Sequence, residues 1–335
     1  MILSIVVLSH QRPNLLWECL LSLSMQTFPH QSMEIIVVDD GPIPETTEVV
    51  ERFDRGTEIA VRYCPQLHQG ISAARNRGVQ EAGGEFVAIV ADDYLLPPEY
   101  AEHAVDYLCQ PGASEVVRFA IDAAGEDFGS RVSHLYYDVS LRRRLMEPSN
   151  ALGRLAGLLF GHESCGVYRG VTYDLEAAGG AIMSRGIFQT VGLFNENLAR
   201  AEDTEFTQRL RERGMSVFFD GSLSIYHQYR KNMTDTFRKC FETGRSRRHL
   251  AKFSPRKRRF AQLHWITSML DTFLRNGNAR TALEALLAFP FLVAFELANK
   301  LGYLSALLEE YKHFGSSKKC LANQNARKAR KELSE

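Results

Sequence analysis

Residues 85–98, EFVAIVADDYLLPP, limit the possible folds of this chain more than any other stretch. Residues 86–90 form an unbroken apolar run, which is typical of a parallel β-strand covered on both faces. The run stops at two adjacent carboxylates, Asp92 and Asp93, and the following prolines prevent immediate regular continuation. Ligands of open α/β sheets bind just beyond the carboxyl ends of the strands, where paired carboxylates suit a divalent cation that also holds phosphates. This stretch therefore predicts a metal–diphosphate site.

The chain before this stretch alternates between strand and helix patterns. Apolar runs predict strands at residues 3–8, 34–38 and 58–64, and helical spacing predicts helices from Asn14, over residues 44–53 and over residues 71–82. The second strand ends at Asp39-Asp40, so its carboxylates are expected at the same sheet edge as Asp92 and Asp93. Strand and helix in alternation predict a doubly wound, nucleotide-binding α/β plan.

The rest of the first 230 residues is less regular. Residues 122–180 have no clean period and are interpreted as loops and short elements beside an acceptor site. The expected regular elements are strands at 115–120, 179–183 and 217–219, helices at 184–190 and 202–213, and a loop at 194–200.

Composition and charge limit the class of protein to which this chain can belong. With 335 residues, 45% hydrophobic and 24% charged, the chain suits one large globular domain or two modest ones. Its net charge is zero, but residues 1–226 hold 18 Lys and Arg against 31 Asp and Glu, whereas residues 227–335 hold 22 against 9. The basic C-terminal part indicates either an acidic partner such as a membrane surface or a solvated set of helices, and both remain open.

Six scattered cysteines without a C-x-x-C pair indicate a reducing compartment and neither a zinc site nor a disulfide framework. The apolar residues 1–8 are expected to be a first strand and not a signal peptide.

Helices are expected at 236–253, 258–274 and 281–311, followed by a mobile basic tail. Because charged residues bracket the uncharged run 285–295 closely, we expect a helical hairpin or an interfacial helix and not a transmembrane span.

Five motifs together resemble the family 2 glycosyltransferases with the GT-A fold, over roughly residues 1–230. They are SIVVLSHQRPNLLWECLLSLSMQTF, EIIVVDDGP, GISAARNRGVQEAGGEFVAIVADDYLLPPEY, GGAIMSRGIFQTVGLFNENLARAEDTEFTQRLRERG and the terminal YH. The resemblance implies a doubly wound mixed sheet with a nucleotide-sugar half (1–120) and an acceptor half (121–230). A helical, basic extension (231–315), which is a candidate for membrane association, and a mobile basic tail (316–335) would follow.

The resemblance also implies roles at the nucleotide. Ser9 and His10 would line the nucleotide pocket, and Asp40, or its neighbour Asp39, would accept the N–H of a uracil-type base. Arg75 sits where the family contacts the nucleotide or diphosphate, and a planar guanidinium suits phosphate oxygens.

For the metal, the family's D-x-D region corresponds to residues 91–93, where Ala91 replaces the usual first Asp. Asp93 is therefore expected to be the direct ligand of Mn²⁺ or Mg²⁺, and Asp92 to bind the ribose or the water shell of the metal. His227 matches a histidine that contacts the metal or diphosphate in some relatives, and a neutral imidazole can ligate Mn²⁺.

The catalytic base would come from the Glu202-Asp203 pair, which matches the family's E-D motif with Asp203 as the base. A helix N-terminus stabilises the ionised carboxylate that must accept a proton. The implied reaction is an inverting, direct displacement that moves a sugar from a UDP-, dTDP- or GDP-linked donor to a saccharide or lipid-linked saccharide. A cytoplasmic protein, in peripheral contact with the inner face of the cell membrane, is expected.

Two other functions compete with this hypothesis. A catalytically degenerate scaffold that binds nucleotide sugars is compatible with Ala91. A sugar nucleotidyltransferase is less favoured, because the loop after the first strand, SHQRPN, contains no glycine. Nucleic-acid binding is not expected, since no recognised motif is present and the basic residues lie outside the α/β part.

Overall fold

The structure is a computed structural model, and it describes residues 1–125, 127–134, 136, 169–172, 179–198, 200–228, 232–253 and 287–310. The predicted helix at 258–274, most of the irregular region at 122–180 and the basic tail lie outside these residues.

The described strands are β1 (Leu3–Ser9), β2 (Met33–Asp40), β3 (Ala60–Gln66), β4 (Phe86–Ala91), β5 (Tyr94–Leu95), β6 (Val116–Ala123), β7 (Arg169–Thr172), β8 (Ala181–Ser184) and β9 (Val217–His227). The described helices are α1 (Pro13–Ser24), α2 (Pro44–Asp54), α3 (Ile71–Glu81), α4 (Tyr100–Leu108), α5 (Ile187–Val191), α6 (Glu202–Glu212), α7 (Met233–Phe253) and α8 (Leu287–Glu310). A short helical segment also covers residues 128–134.

The described strands form one mixed sheet in the order β3-β2-β1-β4-β8-β6-β9-β5, with β7 paired to β9. The four strands β3, β2, β1 and β4 are mutually parallel, as the sequence predicts, and β8 continues the sheet antiparallel to β4. Since β1 lies between β2 and β4, both of its neighbours end beside Ser9.

The last strand is longer than the sequence indicates. Instead of a short strand at 217–219, β9 runs for 11 residues to His227. Its pairing with β6 changes register between Phe119 and Ala120, and the Asp220 side chain accepts hydrogen bonds from the backbone and hydroxyl of Ser222. This irregularity, next to Gly221, interrupts the apolar pattern and hides the continuity of the strand.

Two hydrophobic cores lie on the two faces of the sheet. Leu3, Ile5 and Val7 of β1 point into a core closed by α1, α2 and α4. Val6 and Leu8, on the opposite face, pack with side chains of α3, α5 and α6. Alternate side chains of one strand therefore enter different cores, and this explains its continuous apolar sequence.

A third core joins the C-terminal helices to the helical segment 128–134. Cys240 of α7 packs with Leu292 and Phe295 of α8 and with Val132. Residues farther along α7 contact residues farther along α8, so the two helices run parallel. They do not themselves form the predicted helical hairpin. The helices touch backbone to backbone at Gly244 and Gly302, where any Cβ would collide with a carbonyl group of the other helix.

Helix α8 is also longer than the uncharged run in the sequence suggests. It covers 24 residues, continues through Pro290, and meets the length and composition expected of a membrane span. Roughly a quarter of its most apolar segment is buried within the protein, 28%. The sequence prediction weighed only residues 285–295 and therefore undervalued the length of this apolar element.

The close contact of α7 and α8 can be tested with Gly302→Val. We expect a melting temperature lower by about 2 °C or more, because the side chain forces the backbones apart. Differential scanning fluorimetry measures this shift. Gly56→Ala is the matched control, since a Cβ there meets only ordinary contacts. Equal melting temperatures for Gly302→Val and wild type would contradict the backbone contact.

Candidate active site

Polar residues from three parallel strands meet at one sheet edge. Register pairs Ser9 of β1 with Asp39 of β2, and Leu8 with Ala91 of β4, so that Asp92 directly follows the paired segment. The Asp92 backbone N–H donates to the Leu8 carbonyl, and the Ser9 hydroxyl donates to Asp92 Oδ2 at 2.9 Å. The structure thus brings together Ser9, Asp39 and Asp92, as predicted from the strand ends.

Arg12 lies between the two carboxylates that follow β4. Its Nη1 donates to Asp93 Oδ2 at 2.8 Å, its Nε donates to Asp92 Oδ2 at 3.1 Å, and its Nη2 pairs with Asp92 Oδ1. Asp92 is fully buried, whereas the Arg12 side chain is 30% exposed. Because isolated buried carboxylates are costly, this arginine is what allows two of them to lie side by side.

Burial nevertheless has a strong effect on Asp92. Desolvation, with a smaller contribution from the negative charge of Asp93, raises its pKa to about 7 against the lowering influence of Arg12. Asp92 therefore titrates near neutral pH, and its ionised form depends on Arg12 and on the Ser9 hydroxyl.

The short strand β5 brings His227 to Asp93. Tyr94 pairs with His227 at the end of β9, and the Gln228 backbone N–H donates to the Asp93 carbonyl. His227 Nε2 lies 3.7 Å from Asp93 Oδ1. Burial lowers the pKa of His227 to about 4, so the imidazole is neutral at physiological pH.

Asp93 Oδ1 and His227 Nε2 are suitable ligand atoms for a divalent cation. Asp93 Oδ2 is held by Arg12, which leaves Oδ1 directed toward His227 Nε2. A carboxylate oxygen and a neutral imidazole nitrogen at this separation are appropriate ligands for Mn²⁺. Asp92, by contrast, has both oxygens engaged by Arg12 and Ser9, so it supports the site indirectly.

Asp40 organises the loop between β3 and α3. Its Oδ1 accepts hydrogen bonds from Gln66 Nε2 and the Gln69 backbone, both at 2.8 Å, and its Oδ2 accepts from the Gly70 backbone at 2.9 Å. His68 Nδ1 lies 2.8 Å from the same Oδ2. Although burial raises the pKa of Asp40, these hydrogen bonds outweigh it and keep the pKa below its ordinary value.

Two histidines lie over this carboxylate. The rings of His10 and His68 are 4.5 Å apart, and His10 Nδ1 lies 2.5 Å from the Asp40 carbonyl oxygen. His10, Asp40 and His68 could also hold a metal ion by proximity. They fit one less well than Asp93 and His227 do, because backbone and glutamine donors already engage the Asp40 carboxylate.

Asp39 is fully buried beside Asp40. The Tyr63 hydroxyl donates to its Oδ2 at 2.9 Å, while Oδ1 has no hydrogen-bond partner among the described residues. Burial raises the pKa of Asp39. Its carboxyl group is therefore shielded from solvent, and Asp40 is the more accessible of the pair.

The N-terminus of α6 carries Glu202 and Asp203. Glu202 forms a buried ion pair with Arg75 of α3, whose guanidinium also lies over the Phe194 ring at 5.2 Å. Burial raises the pKa of Glu202, and Arg75 opposes this shift. Asp203 is partly exposed and its Oδ1 accepts the Thr204 backbone N–H at 2.7 Å. The structure thus couples Arg75 to the predicted catalytic helix, a link that the sequence did not reveal.

Backbone strain occurs at two points of this site. Gln11 and Ala201, with φ of 53° and 63°, are the two non-glycine residues with left-handed backbone in the part of the chain that the structure describes. Gln11 separates His10 from Arg12, and Ala201 immediately precedes Glu202. Such conformations cost about 1–3 kcal/mol and tend to cluster at functional sites.

Sequence reasoning missed Arg12 and His68. Arg12 was recognisable only as part of the loop SHQRPN, and nothing local indicates that it pairs with carboxylates 80 residues later. His68 lies in the polar loop before Gly70, where local sequence gives no indication of its contact with Asp40.

The Arg75–Glu202 pair can be tested by a double-mutant cycle. Arg75→Met should destabilise the protein by about 3–5 kcal/mol, because it leaves a buried carboxylate without a partner. Adding Glu202→Gln should recover part of that loss, as measured by chemical denaturation. Additive effects of the two substitutions would contradict a direct pair.

Arg12→Gln should destabilise the protein more at pH 8 than at pH 6. The pKa of Asp92 is about 7 in the folded state and about 4 in the unfolded state. The contribution of Asp92 to the free energy of unfolding therefore declines as the pH rises from about 4 to about 7. Without Arg12 that pKa rises further, and the decline continues to higher pH.

Melting temperatures across this pH range measure the effect. Arg62→Gln is the matched control, because Arg62 also bridges two carboxylates, Glu34 and Glu81, but at the opposite end of the strands. Its effect should be smaller and nearly independent of pH. A pH-independent loss in Arg12→Gln would contradict the role of Arg12 at Asp92.

Known proteins share this architecture. Mannosyltransferase PcManGT from Pyrobaculum calidifontis, solved with GDP-Man and Mn²⁺, superposes with a TM-score of 0.58 at 16% identity, covering 90% of this chain and 86% of that one. TarS 1-349 of S. aureus in complex with UDP-GlcNAc gives a TM-score of 0.51 at 18% identity, covering 92% of both chains. These likenesses confirm the predicted GT-A-type fold.

Sequence relatives agree with the fold. EpsJ of Bacillus subtilis (strain 168), described as an uncharacterized glycosyltransferase, is 25% identical over 244 residues, which is 70% of this chain and 63% of EpsJ. The poly(ribitol-phosphate) beta-N-acetylglucosaminyltransferase TarS of Staphylococcus aureus (strain Mu50) is 32% identical over 93 residues, 28% of this chain and 16% of TarS. The matched segments thus span less than two thirds of these relatives. The profile of Glycosyl transferase family 2 matches residues 4–172, half of the sequence, and the chain therefore belongs to glycosyl transferase family 2.

Proposed function

We propose that this protein is an inverting glycosyltransferase that uses a nucleoside-diphosphate sugar and a divalent metal. The observation that carries the proposal is the meeting of Ser9, Asp39-Asp40 and Asp92-Asp93 at one sheet edge, with His227 beside Asp93. Family membership supports the reaction class, and the nucleotide-sugar complexes of PcManGT and TarS support the type of donor. The donor is UDP-, dTDP- or GDP-linked.

The metal part of the site would consist of Asp93 and His227, which would hold Mn²⁺ or Mg²⁺ through Oδ1 and Nε2. The bound ion supplies a positive charge that stabilises the leaving diphosphate. Arg12 adds a fixed guanidinium beside the same carboxylates, and its exposed fraction lets it face a phosphate. Its positive charge would act on the diphosphate directly, at a site where Ala91 leaves one carboxylate fewer to hold the metal.

Asp40 would recognise the nucleobase. The four donors around its carboxylate fill the usual acceptor sites of the two oxygens. His68 is the replaceable one, because its side chain is 63% exposed, whereas the other donors belong to the folded loop. A base N–H would replace His68 at Oδ2, with Ser9 and His10 at the adjoining wall and Asp39 behind it.

Asp203 would act as the general base. It would accept the proton of the acceptor hydroxyl while the oxygen attacks the anomeric carbon. The bond between that carbon and the diphosphate oxygen breaks in the same step, so the anomeric configuration inverts. Glu202, fixed by Arg75, would position the start of α6. Arg75 is also proposed to contact the nucleotide or diphosphate.

A catalytically degenerate scaffold is the second candidate. Ala91 and the engagement of Asp92 by Arg12 favour it, because they leave few protein ligands for a metal. A sugar nucleotidyltransferase has less support, since the described loop between β1 and α1 contains no glycine to surround a phosphate.

For the acceptor, we propose a saccharide or lipid-linked saccharide hydroxyl at the cytoplasmic face of the cell membrane. The relation to TarS, whose name specifies a poly(ribitol-phosphate) acceptor, supports a cell-envelope polymer as the class. The basic C-terminal part supports peripheral contact with membrane, and nucleic acid is not proposed as a partner.

The decisive variant is Asp203→Asn. With Mn²⁺ and a panel that includes UDP-GlcNAc and GDP-mannose, donor binding should be retained while nucleoside-diphosphate release falls by about 10²–10⁴-fold. Thermal shift measures binding, and a coupled diphosphate assay measures turnover. Glu205→Gln, on the same helix but paired with Arg209, is the matched control and should keep its activity.

Three outcomes decide between the candidates. Full activity in Asp203→Asn would remove its role as the base. Tight binding of a nucleotide sugar without turnover by the wild type on a broad acceptor panel would favour the scaffold. Release of pyrophosphate in place of a nucleoside diphosphate would favour the nucleotidyltransferase.

A further inference from the structure

Helix α8 presents a row of leucines to solvent. Leu297, Leu301, Leu304 and Leu308 are 54%, 58%, 50% and 61% exposed, and they recur at intervals of four, three and four residues. This spacing places them on one face of the helix. We call these four residues the leucine face. Leu287, 53% exposed, extends it toward the start of the helix.

The opposite side of α8 is fixed against α7. Ala288, Leu292 and Phe295 are buried in the third core, and Gly302 touches the α7 backbone. Two ion pairs hold the far end: Arg245 binds Glu309 in bidentate fashion at 2.7 and 2.8 Å, and Arg248 binds Glu310 at 2.8 Å. The helix therefore cannot rotate to bury its leucines without breaking this packing.

The charges of the chain on either side of α8 in sequence favour an anionic partner. The segments on either side of α8 in sequence are both basic, with six Lys and Arg against two Asp and Glu in residues 254–286, and seven against two in residues 311–335. The α/β part has the opposite excess, with 31 acidic against 18 basic residues in 1–226. An anionic surface would attract the segments that flank α8 in the chain and repel the body that carries the candidate active site.

We propose that the leucine face docks α8 into the interfacial layer of an anionic lipid bilayer, with the helix lying in the plane of the membrane. Burying half-exposed leucines provides the apolar contribution, and the flanking basic segments provide the electrostatic one. The body of the enzyme then stays in the aqueous phase beside the surface. This deepens the peripheral membrane contact of the proposed function by naming the element and the lipid chemistry, and it does not depend on the glycosyl transfer itself.

An in-plane orientation follows from the packing of α7. Helix α8 is long enough to span a bilayer, at about 36 Å for 24 residues. However, α7 packs along it and carries six Lys and Arg. A spanning α8 would draw these charges into hydrocarbon, which is strongly unfavourable. Lying at the interface leaves them in water or at lipid headgroups.

Vesicle co-sedimentation of the full-length protein tests the proposal. The wild type should bind phosphatidylcholine vesicles that contain phosphatidylglycerol, bind pure phosphatidylcholine weakly, and lose affinity as salt is raised. The double variant Leu301→Gln/Leu304→Gln should bind about tenfold less or weaker still. Leu21→Gln/Met25→Gln is the matched control, since it removes two exposed apolar side chains from the α/β part, and it should bind as the wild type does.

Other occupants of the leucine face give different results. No binding of the wild type to anionic vesicles, or equal binding by the leucine variant, would overturn the proposal. A wild-type dimer in sedimentation that becomes monomeric in the leucine variant would assign the face to a second copy. A melting temperature several degrees lower in that variant without lipid would assign it to another segment of this chain. Because no donor or acceptor is present, these outcomes do not depend on the proposed glycosyl transfer.

Discussion

The in-register parallel pairing of β1 with β2 and β4 is the constraint on which the rest of the structure depends. It places Ser9 opposite Asp39 and next to Asp92, so residues up to 83 positions apart become neighbours at one edge. Since a shift by one residue would turn each of these side chains to the other face, the two hydrophobic cores that enforce the register also enforce the site.

The pairing of buried carboxylates with arginines is the second feature on which the structure depends. Two of the three carboxylate clusters of the candidate site are stabilised by an arginine from elsewhere in the chain: Arg12 pairs with Asp92 and Asp93, and Arg75 pairs with Glu202. Each pair is partly or fully buried, where a missing partner is far more costly than it would be in water. The two strained residues, Gln11 and Ala201, are sequence neighbours of these pairs, so backbone strain and buried charge are concentrated in the same places.

The C-terminal helices are connected to the site and are not a separate appendage. Arg200, three residues before Asp203, donates to Glu242 of α7 at 2.7 Å, and α7 in turn packs on α8. A surface that holds α8 would thereby be linked, through a short series of contacts, to the start of the helix that carries the proposed base. This arrangement places the leucine face and the candidate active site in one physically continuous part of the protein.

Local sequence determined the central strands, the carboxylates at their ends and the helix that begins at Glu202, because apolar runs and terminal polar residues are properties of neighbouring positions. The strand-end pattern likewise predicted that Ser9, Asp39 and Asp92 lie close together, and the roles that the family resemblance implies for the site residues stay predictions. Only the tertiary structure decided that Arg12 joins Asp92 to Asp93, that Arg75 joins Glu202 and that His68 covers Asp40. It also decided the full length of β9 and which face of α8 is left exposed. Those features arise from contacts between residues far apart in the chain, which no local periodicity encodes.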